Sequence, residues 1–95
     1  MNEHDKGKIM EEFDFRKVQR VMKMLDWKWS QDVGERRVPS LDEMKTHVEV
    51  LMNSAIRNKR GAEDKNVYVS SGGFKVTINE YNRMSLEFVV ERYNI

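Results

Sequence analysis

The stretch VYVSSGGFKVTINEYNRMSLEFVVE, residues 67–91, decides the fold. Its apolar residues recur at every second position: Val67 and Val69 around Tyr68, then Phe74, Val76 and Ile78, then Leu86, Phe88 and Val90. A period of two belongs to extended chain with one face buried. The alternate positions are mostly polar, with Lys75, Thr77 and Asn79 on one run and Ser85, Glu87, Val89 and Glu91 on the next. Ser70-Ser71-Gly72-Gly73 and the segment around Glu80–Arg83 supply the turns. The stretch therefore predicts three antiparallel strands, the last two a hairpin. Tyr68, Val89 and Tyr93 are expected on the outer face, where a second copy of the chain has room to pair.

Upstream the period lengthens to that of a helix. Leu41, Met44, Val48, Leu51, Met52, Ala55 and Ile56 form one stripe over residues 41–60. Ser40 with Glu43 three residues on is a capping box, and Pro39 fits just outside it. Arg57, Lys59 and Arg60 complement the dipole of the last turn, and Gly61 offers a left-handed cap. An earlier stripe, Phe15, Val18, Val21, Met22 and Leu25, predicts a helix over 15–26. Asp14 is its cap, and Phe13 with Val18 has the spacing of a hydrophobic staple. Between the helices, Trp27-Lys28-Trp29 and SQDVGERR read as an exit and a loop of about ten residues, longer than most. Residues 1–12, with Gly7 and scattered charges, read as a flexible N-terminal tail, and residues 13–95 as a single domain. The expected fold is α+β, two helices packed on one face of a small antiparallel sheet in the order ααβββ.

Composition narrows the function without supplying it. Ninety-five residues allow one small core. Lys+Arg 17 against Asp+Glu 16 leaves +1, spread evenly along the chain, with a pI near 8.0. A dedicated nucleic-acid domain is usually more basic, so nucleic acid is an unfavoured partner. Zero cysteines exclude disulfides, thiolate metal sites and thiol nucleophiles. Neither a signal peptide nor a membrane-spanning run is apparent, and a cytoplasmic location is expected.

Catalytic constellations are missing. His4 lies in the expected tail. His47 sits at the edge of the second stripe with Glu43 one turn earlier, a spacing that suits either a general base or a boundary residue packing its ring, and we expect the latter. Ser70 and Ser71 precede glycines in a strand context, unlike a nucleophile elbow or a phosphate loop, and read as a turn. No catalytic residue, metal ligand or cofactor is expected. Arg57-Asn58-Lys59-Arg60 reads as a solvated helix end rather than a phosphate contact.

The nearest approach to a binding constellation is Trp27, Lys28, Trp29, Arg36 and Arg37. Two indoles two residues apart share a side of extended chain, where they grip a ring while the cations meet an anion. At least one of these indoles is expected to close the end of the core, since a large ring seldom stays fully exposed. Met24 falls off its helical stripe and points to a partner contact.

The segments VMKMLDWKW (21–29), VPSLDEM (38–44), SSGGFKV (70–76) and SLEFVVE (85–91) resemble a group of small uncharacterised phage and prophage proteins. The resemblance spans roughly residues 13–91 and implies a fold and a mobile-element origin, with no activity to carry over. The expected function is a non-catalytic interaction protein that binds a host or phage macromolecule, a protein partner or itself as a homodimer. The alternative is a small-ligand protein that sequesters an anionic nucleotide.

Overall fold

The computed structural model describes residues 3–30, 34–59, 66–69 and 72–95. Three helices come first, interrupted by a short ribbon, and four strands follow: α1 (Glu3–Glu12), α2 (Phe15–Leu25), β1 (Trp29–Ser30), β2 (Arg36–Arg37), α3 (Leu41–Asn58), β3 (Asn66–Val69), β4 (Phe74–Ile78), β5 (Met84–Val90) and β6 (Tyr93–Asn94). The fold is α+β, with a four-stranded antiparallel sheet in sequential order β3-β4-β5-β6 and a separate two-stranded ribbon β1-β2.

The two-residue period translates directly into one buried face. Phe74 pairs with Phe88, Val76 with Leu86 and Ile78 with Met84, so six apolar side chains lie on the same side, all buried. The other side pairs Lys75 with Glu87 and Thr77 with Ser85, and it is polar. Onto the apolar side pack Phe15, Val18, Val21 and Met22 of α2 and Met44, Val48, Met52 and Ala55 of α3. Each of these buried side chains other than Ala55 contributes about 1.5–3 kcal/mol against remaining in water.

The register corrects one expectation about the outer face. Tyr68 pairs with Val76 and Tyr93 with Val90, and directly paired residues share a face. Both tyrosines therefore pack against the core side. Only Val89, 42% exposed, lies outside as expected, joined there by Val67 at 47%.

The N-terminal segment also differs from its reading as a tail, since Glu3–Glu12 is helical. Ile9, Met10 and Phe13 lie within about a turn of one another and pack against the core. Asp5 accepts hydrogen bonds from Arg83 Nη1 and the Met84 backbone N–H, both at 3.4 Å, and Lys6 Nζ donates to Asn53 Oδ1 at 3.0 Å. Few apolar positions are needed when Asp5 and Lys6 tie the start of the segment by polar contacts to β5 and α3.

Helix ends follow local chemistry. Asp14 Oδ1 accepts from Lys17 N at 3.0 Å. Ser40 Oγ accepts from Glu43 N at 3.2 Å while Glu43 Oε1 accepts from Ser40 N at 2.9 Å, completing the capping box. α3 stops at Asn58 with Lys59 extended, short of the expected left-handed cap at Gly61, which lies outside the described residues. The β4–β5 turn is organised by Asn79, whose Oδ1 accepts from Tyr81 N and Arg83 N at 2.9 Å each. Gly73, at φ +96°, lends its carbonyl to Val89 N–H, and a Cβ there would meet Val90 Cγ2 at 2.7 Å. Among the described residues no helix is long and apolar enough to cross a membrane.

Candidate functional site

The site begins where α2 ends. Asp26 adopts a left-handed conformation (φ 53°, ψ 39°), Asp26 N–H donates to Lys23 O, and Trp27 N–H donates to Met22 O at 2.9 Å. This pair of bonds is a Schellman stop, which turns the chain sharply out of the helix. Trp27 and Lys28 follow at once, and the chain enters β1. The expected ten-residue loop is a ribbon instead, with Trp29 opposite Arg37 and Ser30 opposite Arg36. Residues 31–33 lie outside the described residues.

Two anchors explain the ribbon. The Trp29 ring packs 4.6 Å from the His47 ring and 6.3 Å, edge to face, from Phe74. Its benzo edge also lies against Gly72, where a Cβ would come within 2.5 Å of Cζ2. On the other strand, Arg37 donates to both Glu43 carboxylate oxygens, at 2.7 and 2.9 Å. Bidentate pairing of this kind fixes geometry as well as charge. Arg37 and the Ser40 backbone together hold the Glu43 carboxyl down at about 2.

Between the end of α2, the ribbon, α3 and Gly72 lies an open pocket of about 480 Å³. Trp27, Lys28, Trp29, Arg36, His47 and Gly72 are among the residues that line it. Arg36 Nη2 donates to Lys28 O at 3.1 Å, which ties the guanidinium to the backbone leaving α2, and Lys28 Nζ sits 3.4 Å from Asp26 Oδ1. Four of the five residues singled out from sequence thus meet at one cavity. Arg37 does not join them, because its guanidinium is committed to Glu43.

Both indoles pack against the core cluster while facing the cavity, so they are walls as well as surfaces. Met24 is 61% exposed on the last turn of α2, and Tyr93 Oη donates to its sulfur at 3.8 Å. His47 packs its ring at the margin of the core, as expected of a boundary residue, but the sequence did not show which ring it packs on. Its partner is the Trp29 ring rather than Glu43, whose oxygens are occupied by Arg37 and Ser40. Burial pushes the His47 pKa below its ordinary 6.5. The one signal available beforehand was a histidine at the margin of an apolar stripe, and that spacing carries no information about a tryptophan eighteen positions away.

Arg57 donates to Ser54 Oγ at 3.3 Å within α3. Ser70, Ser71 and Arg60 lie outside the described residues. Among the described residues no group of three or more His, Asp or Glu side chains is placed to hold a metal ion. No protein-family model, curated protein or solved structure matches this chain.

Proposed function

We propose that this chain is a non-catalytic interaction protein, of phage or prophage derivation and acting in the cytoplasm, that holds part of a protein partner in the pocket beside Trp27. The observation that carries the proposal is the pocket's combination of size, openness and lining: about 480 Å³, lined by both indoles and by the cations Lys28 and Arg36. A small-molecule site usually encloses most of its ligand, whereas this one is open and suits a side chain or short segment that stays attached to something larger. Aromatic residues and arginine are the groups that most often dominate protein interfaces. Met24, next in sequence to the pocket-lining Leu25, is also exposed. A second copy of the chain is one protein partner that fits this description.

A photo-crosslinking residue in place of Lys28, expressed in cells, tests it. Adducts of defined mass from position 28, absent when the same residue replaces Tyr81 at the β4–β5 turn, support the reading. Equal labelling from both positions sinks it.

Indole faces next to two cations also favour a second reading, an anionic nucleotide held by stacking and charge. Native mass spectrometry of the gently purified chain separates the two, because a nucleotide appears as a small reproducible extra mass and a protein partner as a whole chain.

A further inference from the structure

His47 Nε2 is buried and has no hydrogen-bond partner among the described residues. A neutral imidazole tolerates such a seat, because one of its nitrogens is a bare acceptor and the ring carries no charge. An imidazolium is penalised there, since the half-buried ring then carries a charge and the buried Nε2 an N–H with no acceptor among the described residues.

The surroundings offer the charged form little. On α3, the Glu43 carboxylate one turn away is occupied by Arg37 and Ser40, and the neighbours Met44, Val50 and Leu51 are apolar. From β4 comes the Phe74 ring at 6.1 Å, and from β1 the Trp29 ring at 4.6 Å. The other charged groups lining the cavity are Asp26, Lys28 and Arg36. Two of these are cations, and the carboxylate is already paired with Lys28.

We propose that His47 is a proton-operated latch on this pocket: the neutral ring holds the Trp29 wall in place, and the charged ring leaves its seat and releases that wall. Trp29 has no slack to absorb such a departure quietly. Its benzo edge is already pressed against the Gly72 backbone, at a separation that would not admit even one further carbon. Loss of the imidazole contact leaves a void beside the indole, and the pocket changes shape as the ring moves to fill it. The ribbon's other strand is fixed independently through Arg37 and Glu43, so the release is confined to the Trp29 side. Burial depresses the His47 pKa, which places the transition on the acid side of 6.5. The latch concerns the pocket wall and stands whatever the pocket holds.

Proton–nitrogen correlation spectra of the two indole N–H groups, taken from about pH 7.5 to about pH 5, test this. Trp27→Phe and Trp29→Phe variants assign the two signals. The Trp29 signal is expected to move along one titration curve with a midpoint below 6.5, shared by the ring protons of His47. The curve should vanish in His47→Phe, which keeps a ring and cannot titrate. His47→Gln is a second non-titrating variant should that one fail to fold, and His4→Gln should leave the curve intact. A Trp29 signal that stays still across the range overturns the proposal. So does a midpoint at or above 6.5, or a curve that persists when His47 is replaced.

Discussion

The Trp29 and His47 rings lie 4.6 Å apart at a tilt of 47°, joining the two-stranded ribbon to α3. This contact, with the close approach of Gly72 to the same indole, converts a stretch that would otherwise be loop into one wall of a cavity. Gly72 is therefore kept small by the indole rather than by a turn. Gly72→Ala places a Cβ about a bond length too close to Trp29 Cζ2, and inserting a carbon into packed surroundings costs about 1–3 kcal/mol. Chemical denaturation is expected to show a lower midpoint with an unchanged slope, accompanied by altered tryptophan emission. A variant as stable as the parent would mean that the indole has room to shift.

Trp29 and Trp27 are expected to separate under substitution. Trp29 packs on His47, Phe74 and Gly72, and Trp29→Ala should cost about 3 kcal/mol, the lower end of the range for a buried aromatic. Trp27 touches the core cluster too, yet among the described residues the ring-on-ring contacts of this region do not include it. Trp27→Ala should therefore cost less than Trp29→Ala in the same denaturation series, while removing more of the partner binding. The reverse order of stabilities would exchange their roles.

The sheet was legible because its information is local. Phe74, Val76, Ile78, Leu86, Phe88 and Val90 alternate without interruption, and a one-residue slip would turn all of them to water. The helices and their caps were legible for the same reason, with Ser40 and Glu43 three positions apart and Asp14 placed to receive Lys17 N–H. What escaped depends on distant residues. α1 is held by Asp5 reaching Arg83 and Met84, and no periodicity within residues 3–12 announces a contact with β5. Tyr93 changes face because a two-residue turn at Glu91–Arg92 folds it back opposite Val90, which a simple count along β5 does not reveal. The pocket was half legible. Aromatic and basic residues close in sequence did converge, but the competition of Glu43 for Arg37 and the stacking of His47 on Trp29 are settled only by the tertiary fold.

Asp26 occupies the left-handed position at which a helix stop favours glycine. A residue with a Cβ is strained there, though Asp tolerates it better than most. Asp26→Gly should therefore stabilise the chain by about 1 kcal/mol, which for a domain of this size raises the melting temperature by about 4–8 °C. The ion pair with Lys28 that it removes is exposed and contributes little. Calorimetry of the single variant checks this, and a lower melting temperature would show that the carboxylate matters more than the backbone.

Acid stability should report on Glu43. Its carboxyl falls from 4.5 to about 2 in the folded chain, chiefly through the hydrogen bonds from Arg37 and then through the Ser40 backbone N–H. Because the folded value lies below the unfolded one, the unfolded chain takes up the proton first. The stabilisation is therefore complete above about 4.5 and is lost progressively as the pH falls toward 2. Glu43→Gln removes that loss along with the stabilisation, so parent and variant should differ most at neutral pH and converge in acid. The group is exposed, so added salt should shrink the difference. Ser40→Ala removes the other half of the capping box and should cost about 1 kcal/mol at neutral pH. Equilibrium denaturation of the three proteins between pH 7 and about pH 2 measures all of this. Curves for parent and Glu43→Gln that run parallel throughout would show that the Arg37–Glu43 pair does not hold in solution, and the ribbon's second anchor would have to be sought elsewhere.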